Sequence, residues 1–179
     1  MSSVRHRKEM SITTLYFLCG KMAAGKSTLA RKLARTYQAV LLEEDHFLAV
    51  LFPGEIHSIA DYVKYSARVK EALSEHIVSV LRSGISVVLD FPANTPNQRR
   101  WFRQLIDRAP VAHELHYLDV TDEGCKAQLR ERSKSLPEGS PFTSDAEFEA
   151  VTKYFQPPEA EEGFNVVKDS DSHSPEADA

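Results

Sequence analysis

The octapeptide Gly20-Lys21-Met22-Ala23-Ala24-Gly25-Lys26-Ser27 satisfies G-x-x-x-x-G-K-[ST] at every constrained position. No other feature restricts the fold so tightly, because each fixed residue answers a physical demand. Gly20 and Gly25 permit a tight turn in which successive backbone N–H groups converge on an anion. A helix opening at Lys26 adds the positive end of its dipole. The Lys26 ammonium then meets the β- and γ-phosphates of a nucleotide, and the Ser27 hydroxyl can ligate Mg²⁺. The pattern carries meaning only between a strand and a helix. "TLYFLC", Thr14 to Cys19, precedes it as a short apolar run, and Leu29, Leu33 and Tyr37 follow at helical spacing. The stretch reads as a phosphate cradle, with Gly20 to Thr28 as its nucleotide-binding set.

Strand and helix patterns then alternate. "AVLLEEDHF" holds a second apolar run, Val40 to Leu42, ending in Glu43-Glu44-Asp45. Leu51 to Ile59, with Pro53 and Gly54, reads as a loop or broken helix. Val69, Leu73, Ile77 and Val80 or Leu81 stripe a long helix, with Asp61 as its cap and Gly84 at its C-terminus. "ISVVLDF" is a third strand, and Pro96 opens a helix with Trp101, Leu105 and Ile106 on one face. "HELHYLD" is a fourth strand, followed by a helix through Leu129 and a polar loop, "KSLPEGSPFTSD". A short helix over Glu147 to Tyr154 and a fifth strand, "FNVV", complete the pattern. Such alternation predicts an α/β fold with a mainly parallel five-stranded sheet flanked by helices. Ligands of such sheets sit at the strands' C-terminal ends, where the cradle and the carboxylates after Leu42 both fall. The expected organisation is a basic leader over 1–11, one domain over 12–168 and an acidic tail over 169–179. Met10 is an alternative start to Met1.

Charge and cysteine content narrow the chemistry. The net charge of −4 arises from the termini, since the domain between them is balanced. That balance gives no global case for nucleic-acid or membrane-surface binding. Two cysteines, Cys19 and Cys125, have no metal-ligand spacing and read as reduced thiols of a cytoplasmic protein. Cys19, beside the cradle, reads as apolar filler. No apolar segment approaches a membrane span. His113 and His116, three apart on a strand, face opposite sides and make no metal pair.

The guanine-reading N/TKxD of switch GTPases is absent. An acid at the end of the second strand can accept a hydroxyl proton as that oxygen attacks phosphorus. The stretches "GKMAAGKST", "LLEEDHF", "VVLDFPANTPNQRRWF", "LHYLDV", "QLRERSKSLPEG" and "FEAVTKYFQPPEAEEGFNVV" together resemble the small P-loop kinases of the zeta-toxin, polynucleotide-kinase and chloramphenicol-phosphotransferase type. The resemblance spans about Thr14 to Val167 and implies a three-layer P-loop NTPase fold with a small lid. It further implies Asp45 as catalytic base, Glu44 supporting Mg²⁺ or the acceptor, and Asp90 holding Mg²⁺ through water. Arg130 and Arg132 fall in the lid segment, facing the nucleotide or the transferring phosphate, and Arg99 is expected near the acceptor.

The reading is an ATP- and Mg²⁺-dependent phosphotransferase acting on a small-molecule hydroxyl. One alternative is a polynucleotide 5′-hydroxyl kinase, whose cleft would gather Arg68, Lys70, Arg99, Arg100 and Arg103. Against it, Trp101 and Phe102 fit the packed face of a helix. Another is an ATP-binding regulatory switch with slow ATPase activity and a protein partner.

Overall fold

The computed structural model describes residues 12–135 and 144–169. The expected leader, the centre of the polar loop and all of the tail after Asp169 lie outside the described residues. The elements are β1 (Thr14–Cys19), α1 (Lys26–Thr36), β2 (Val40–Glu43), α2 (Glu44–Leu51), α3 (Ile59–Arg82) and β3 (Val87–Pro92). They continue as α4 (Pro96–Arg108), β4 (Ala112–Leu118), α5 (Asp122–Ser133), α6 (Asp145–Thr152), a 3₁₀ turn at Ala160–Glu162 and β5 (Val166–Asp169). The five strands form one sheet in the order β2-β3-β1-β4-β5, every neighbouring pair parallel. This is the expected three-layer α/β arrangement.

β1 is central, so both of its faces are covered and its apolar run need not alternate. Leu15, Phe17 and Cys19 pack toward Tyr65, Val69 and Ile77 of α3 and Phe102 and Leu105 of α4. Tyr16 and Leu18 pack toward Ala30 and Leu33 of α1, Cys125 and Leu129 of α5, and Phe148 of α6. The Phe17 and Phe102 rings stack at 4.5 Å with no exposure. Burial of each such ring contributes about 1.5–3 kcal/mol.

Several boundaries differ from expectation for local reasons. α3 is capped by Ser58, whose hydroxyl accepts from Asp61 N–H; Asp61 sits one turn inside and accepts from the Ser58 hydroxyl. α6 starts before Glu147 because Ser144 and Glu147 form a reciprocal capping box. α2 begins at once where β2 ends, so the carboxylate run turns straight into a helix. β5 is Val166–Asp169, later than "FNVV", and takes in the residue assigned to the tail. Asp169 is held there by His116 Nδ1 at 2.9 Å.

Candidate active site

The strand register sets the edge on which the site is built. Glu43 pairs with Asp90, and Cys19 pairs with Tyr117, so β2, β3, β1 and β4 end near one level. The cradle leaves β1 there. Gly25 adopts φ +94°, a left-handed conformation in which a side chain would be strained. Gly20 is required for a different reason: a Cβ on it would lie 3.1 Å from Leu118 O and 3.2 Å from Leu118 Cβ. Ala23 also has positive φ, at 60°, although it carries a Cβ. Such strain costs on the order of 1–2 kcal/mol and is characteristic of ligand-holding loops.

α1 begins at Lys26, directly after the turn, with no acid in its first turn and no side-chain cap. Its leading N–H groups are therefore left for an anion. The Lys26 ammonium bends over the loop and donates to Gly20 O and Lys21 O, both at 2.7 Å. Burial lowers its pKa, while Asp90 and Asp45 pull it back up. Lys21 turns outward and pairs with Asp122 at the start of α5, at 2.5 Å.

Asp90 and Asp45 form the acidic side. Burial raises the Asp90 pKa, a hydrogen bond from Ser27 and the Lys26 charge lower it, and Asp45 and Glu43 raise it again. Asp45 is raised by burial first and by Glu44 next, with Lys26 and Arg132 opposing. These couplings place Lys26, Ser27, Asp90, Asp45 and Arg132 around one locus. The chain reaches that locus from the first turns of α1 and α2, from β3 and from the end of α5. Asp45 is exposed on the first turn of α2, with its carboxyl drawn partly out of water by the protein packed around it.

Two expected contacts are relocated. Arg99 is fully buried and does not face an acceptor. Its Nε and Nη2 donate to Glu162 at 2.7 and 2.8 Å, and Nη1 donates to Ala93 O and Gln156 O, each at 2.9 Å. Nη2 also donates to Pro157 O at 3.3 Å, so all five N–H groups are engaged inside the fold. Glu44 is 1% exposed, and its oxygens accept from Tyr62 at 2.5 Å and Ser66 at 2.6 Å, with Lys70 Nζ at 3.6 Å. It ties α2 to α3 instead of facing outward.

Arg130 pairs with Asp145 and joins α5 to α6, while the charge of Arg132, on the last turn of α5, reaches Asp45. Of the five basic residues expected to gather in a polynucleotide cleft, three are engaged within the fold. Arg99 is internal, Lys70 serves Glu44, and Arg103 donates to Glu162 O while covering the Phe164 ring. Trp101 donates to Ser74 and Phe102 is core, as the packed-face reading expects.

His113 lies against Phe17 and His116 against Tyr16, on opposite faces, as their spacing predicts. Cys19 is fully buried, and its thiol pKa is pushed up to about 11 by that burial, as suits apolar filler. No helix of the described residues is long and apolar enough to cross a membrane.

Two residues escaped sequence reasoning. Tyr62 was readable only as the first member of a polar i, i+4, i+8 ladder with Ser66 and Lys70 on a helix otherwise striped with apolar residues. Asn94 lies in the turn after β3, and its Oδ1 accepts from Gly20 N–H at 3.0 Å. Nothing in its neighbours' spacing marks a bond to a residue so distant in the chain.

Comparison with known proteins agrees with this architecture. A family model described as an AAA domain matches residues 15–158. Among solved structures, a candidate kinase from Chloroflexus aurantiacus J-10-fl superposes with a TM-score of 0.70 at 20% identity, covering 94% of this chain and 93% of that one. The Mycobacterium tuberculosis APS kinase CysC, in complex with AMPPNP and APS, gives 0.63 at 18% identity, covering 91% of each chain. Chaetomium thermophilum Kti12 in complex with ADP-AlF3 gives 0.65 at 15% identity, covering 90% and 91%. No curated protein matches the chain. At these identities the similarity establishes the fold, and the expected kinship with small P-loop kinases holds at that level. With its model running through every element from β1 to α6, the chain belongs to the AAA domain family.

Proposed function

We propose that this protein is a cytoplasmic P-loop phosphotransferase that moves the γ-phosphate of ATP to a hydroxyl of a small molecule. The observation that carries the reading is the coupling of an exposed carboxylate, Asp45, beyond the end of β2, to the cradle lysine, Lys26, beyond the end of β1, across β3 and its Asp90. The similar APS kinase holds a nucleotide analogue and a small substrate, which supports the same pairing of ligands here.

The Gly20–Ser27 backbone and Lys26 hold the ATP phosphates. The hydroxyl of Ser27 and the carboxylate of Asp90, adjacent and both hard oxygen donors, fit Mg²⁺. When bound, that ion would supply positive charge against the phosphates. Asp45 takes the acceptor's hydroxyl proton as its oxygen bonds to the γ-phosphorus. The bond from phosphorus to the β,γ-bridging oxygen breaks, and ADP leaves with that electron pair. Lys26 and Arg132 balance the charge spread over the transferring group. Arg99 and Glu44 are supports in this scheme: one fixes the segment after α6, and the other fixes the first turn of α2. Their engagement, with that of Lys70 and Arg103, favours a small acceptor over a polynucleotide.

The test is transfer of label from γ-labelled ATP with Mg²⁺ across hydroxyl-bearing antibiotics, nucleotide sugars, sugar acids and 5′-hydroxyl oligonucleotides. A labelled small molecule is expected. A labelled oligonucleotide alone would move the acceptor to nucleic acid, and slow phosphate release with no labelled acceptor would favour the regulatory switch.

A further inference from the structure

The cradle is held at its entrance by a residue that is not part of it. Gly20 N–H, the first amide of the glycine-rich loop, donates to Asn94 Oδ1 at 3.0 Å and is thereby committed within the protein. Asn94 is itself fixed from two further directions. Its N–H donates to Gln98 Oε1 at 2.9 Å, and its carbonyl accepts from Gln156 N–H at 2.9 Å. The adjacent Ala93 carbonyl and that of Gln156 are both taken by Arg99 Nη1, each at 2.9 Å. The chain from Gln156 to Glu162 is thus bound to both Asn94 and Arg99 at Gln156, and to Arg99 again at Pro157 and Glu162. That segment is the return path from α6. In turn, α6 is pinned to α5 through Arg130–Asp145 and through Lys126–Glu149 at 2.7 Å.

We propose that Asn94 is a positioning residue for nucleotide binding, joining the entrance of the cradle to the segment that returns from α6. This rests on the cradle being a nucleotide site, as proposed above. Two consequences follow from the geometry. The Asn94 side chain sets where the loop begins, so removing it loosens the anion-facing amides without touching any of them. Because one residue holds both Gly20 and Gln156, ordering of the loop by nucleotide is felt at the Gln156 amide. Linkage requires the reverse coupling as well.

The experiment is an equilibrium titration with a fluorescent ATP analogue on the full chain, comparing wild type, Asn94→Ala and Gln98→Ala. Gln98→Ala removes one of the two bonds that fix the Asn94 backbone, and leaves its side-chain contact with Gly20 and its bond to Gln156 in place. Asn94→Ala is expected to raise Kd about tenfold, the scale of one lost hydrogen bond, with binding stoichiometry unchanged. Gln98→Ala is expected to bind within about twofold of wild type. Hydrogen exchange at residues 153–162 should slow on ATP addition in wild type, and respond less in Asn94→Ala.

A wild-type Kd in Asn94→Ala would overturn the inference. So would reduced stoichiometry at unchanged Kd, the signature of partial misfolding, or an equal loss in Gln98→Ala. No nucleotide binding by wild type would overturn both this inference and the functional reading beneath it.

Discussion

At the scale of single residues, the site sets charge against charge. Asp45 and Asp90 are carboxylates made reluctant to ionise, chiefly by burial, and Lys26 is an ammonium made reluctant to stay charged for the same reason. A base with a raised pKa works only above it. The rate of transfer is therefore predicted to fall, as pH drops, at a higher pH than an ordinary aspartate would give, read from the acid limb of kcat/KM. The same shift has a stability consequence of defined sign. A carboxyl whose folded pKa lies above its unfolded value stabilises the fold below the unfolded value, and that contribution is lost as pH rises through the folded value. Once ionised, Asp45 is thus a burden on the fold. Asp45→Asn should melt at or above the wild-type temperature while losing transfer; a clear drop in Tm would contradict this.

At the scale of elements, the supports are local and separable. Arg99 is a buried charge that joins α4 to the Gln156–Glu162 segment through four hydrogen bonds, with a fifth to Ala93 O. Removing one partner of such a pair typically costs about 3–5 kcal/mol. Arg99→Met should lower the urea midpoint by a corresponding amount, and retention of wild-type stability would refute this role. Burial alone would raise the Glu162 carboxyl, but the hydrogen bonds from Arg99 and the Glu159 N–H, with the charges of Arg99 and Arg103, together outweigh it and hold its pKa below the usual 4.5. Here the sign is opposite to that of Asp45. This stability is present above the unfolded pKa and lost as pH falls through the folded one, so Glu162→Gln should flatten the acid side of the stability curve. α6 offers a smaller test. Ser144→Ala removes half of its capping box at about 1 kcal/mol, expected as faster hydrogen exchange within Asp145–Thr152.

At the scale of the molecule, legibility followed locality. The cradle motif, the five strands and the helices other than α2 were readable because loop chemistry, apolar runs and caps act within a few residues. Asp45 and Asp90 were readable because a parallel sheet brings its strand ends to one edge. Arg99 was misplaced because an arginine in "NTPNQRRWF" carries no mark of burial: what makes it internal is Glu162, far along the chain. Glu44 was misread for the same reason, since Tyr62, Ser66 and Lys70 reach it from another helix. Asn94 was missed because its partner is in β1's outgoing turn. The central claim is that Asp45 accepts the acceptor's proton while Lys26 and the cradle hold ATP. The most direct measurement compares ATP affinity with the rate of transfer in Asp45→Asn. The account predicts ATP binding within about threefold of wild type and a transfer rate reduced roughly 10²–10⁴-fold. Transfer at the wild-type rate in Asp45→Asn, with ATP bound normally, would contradict it.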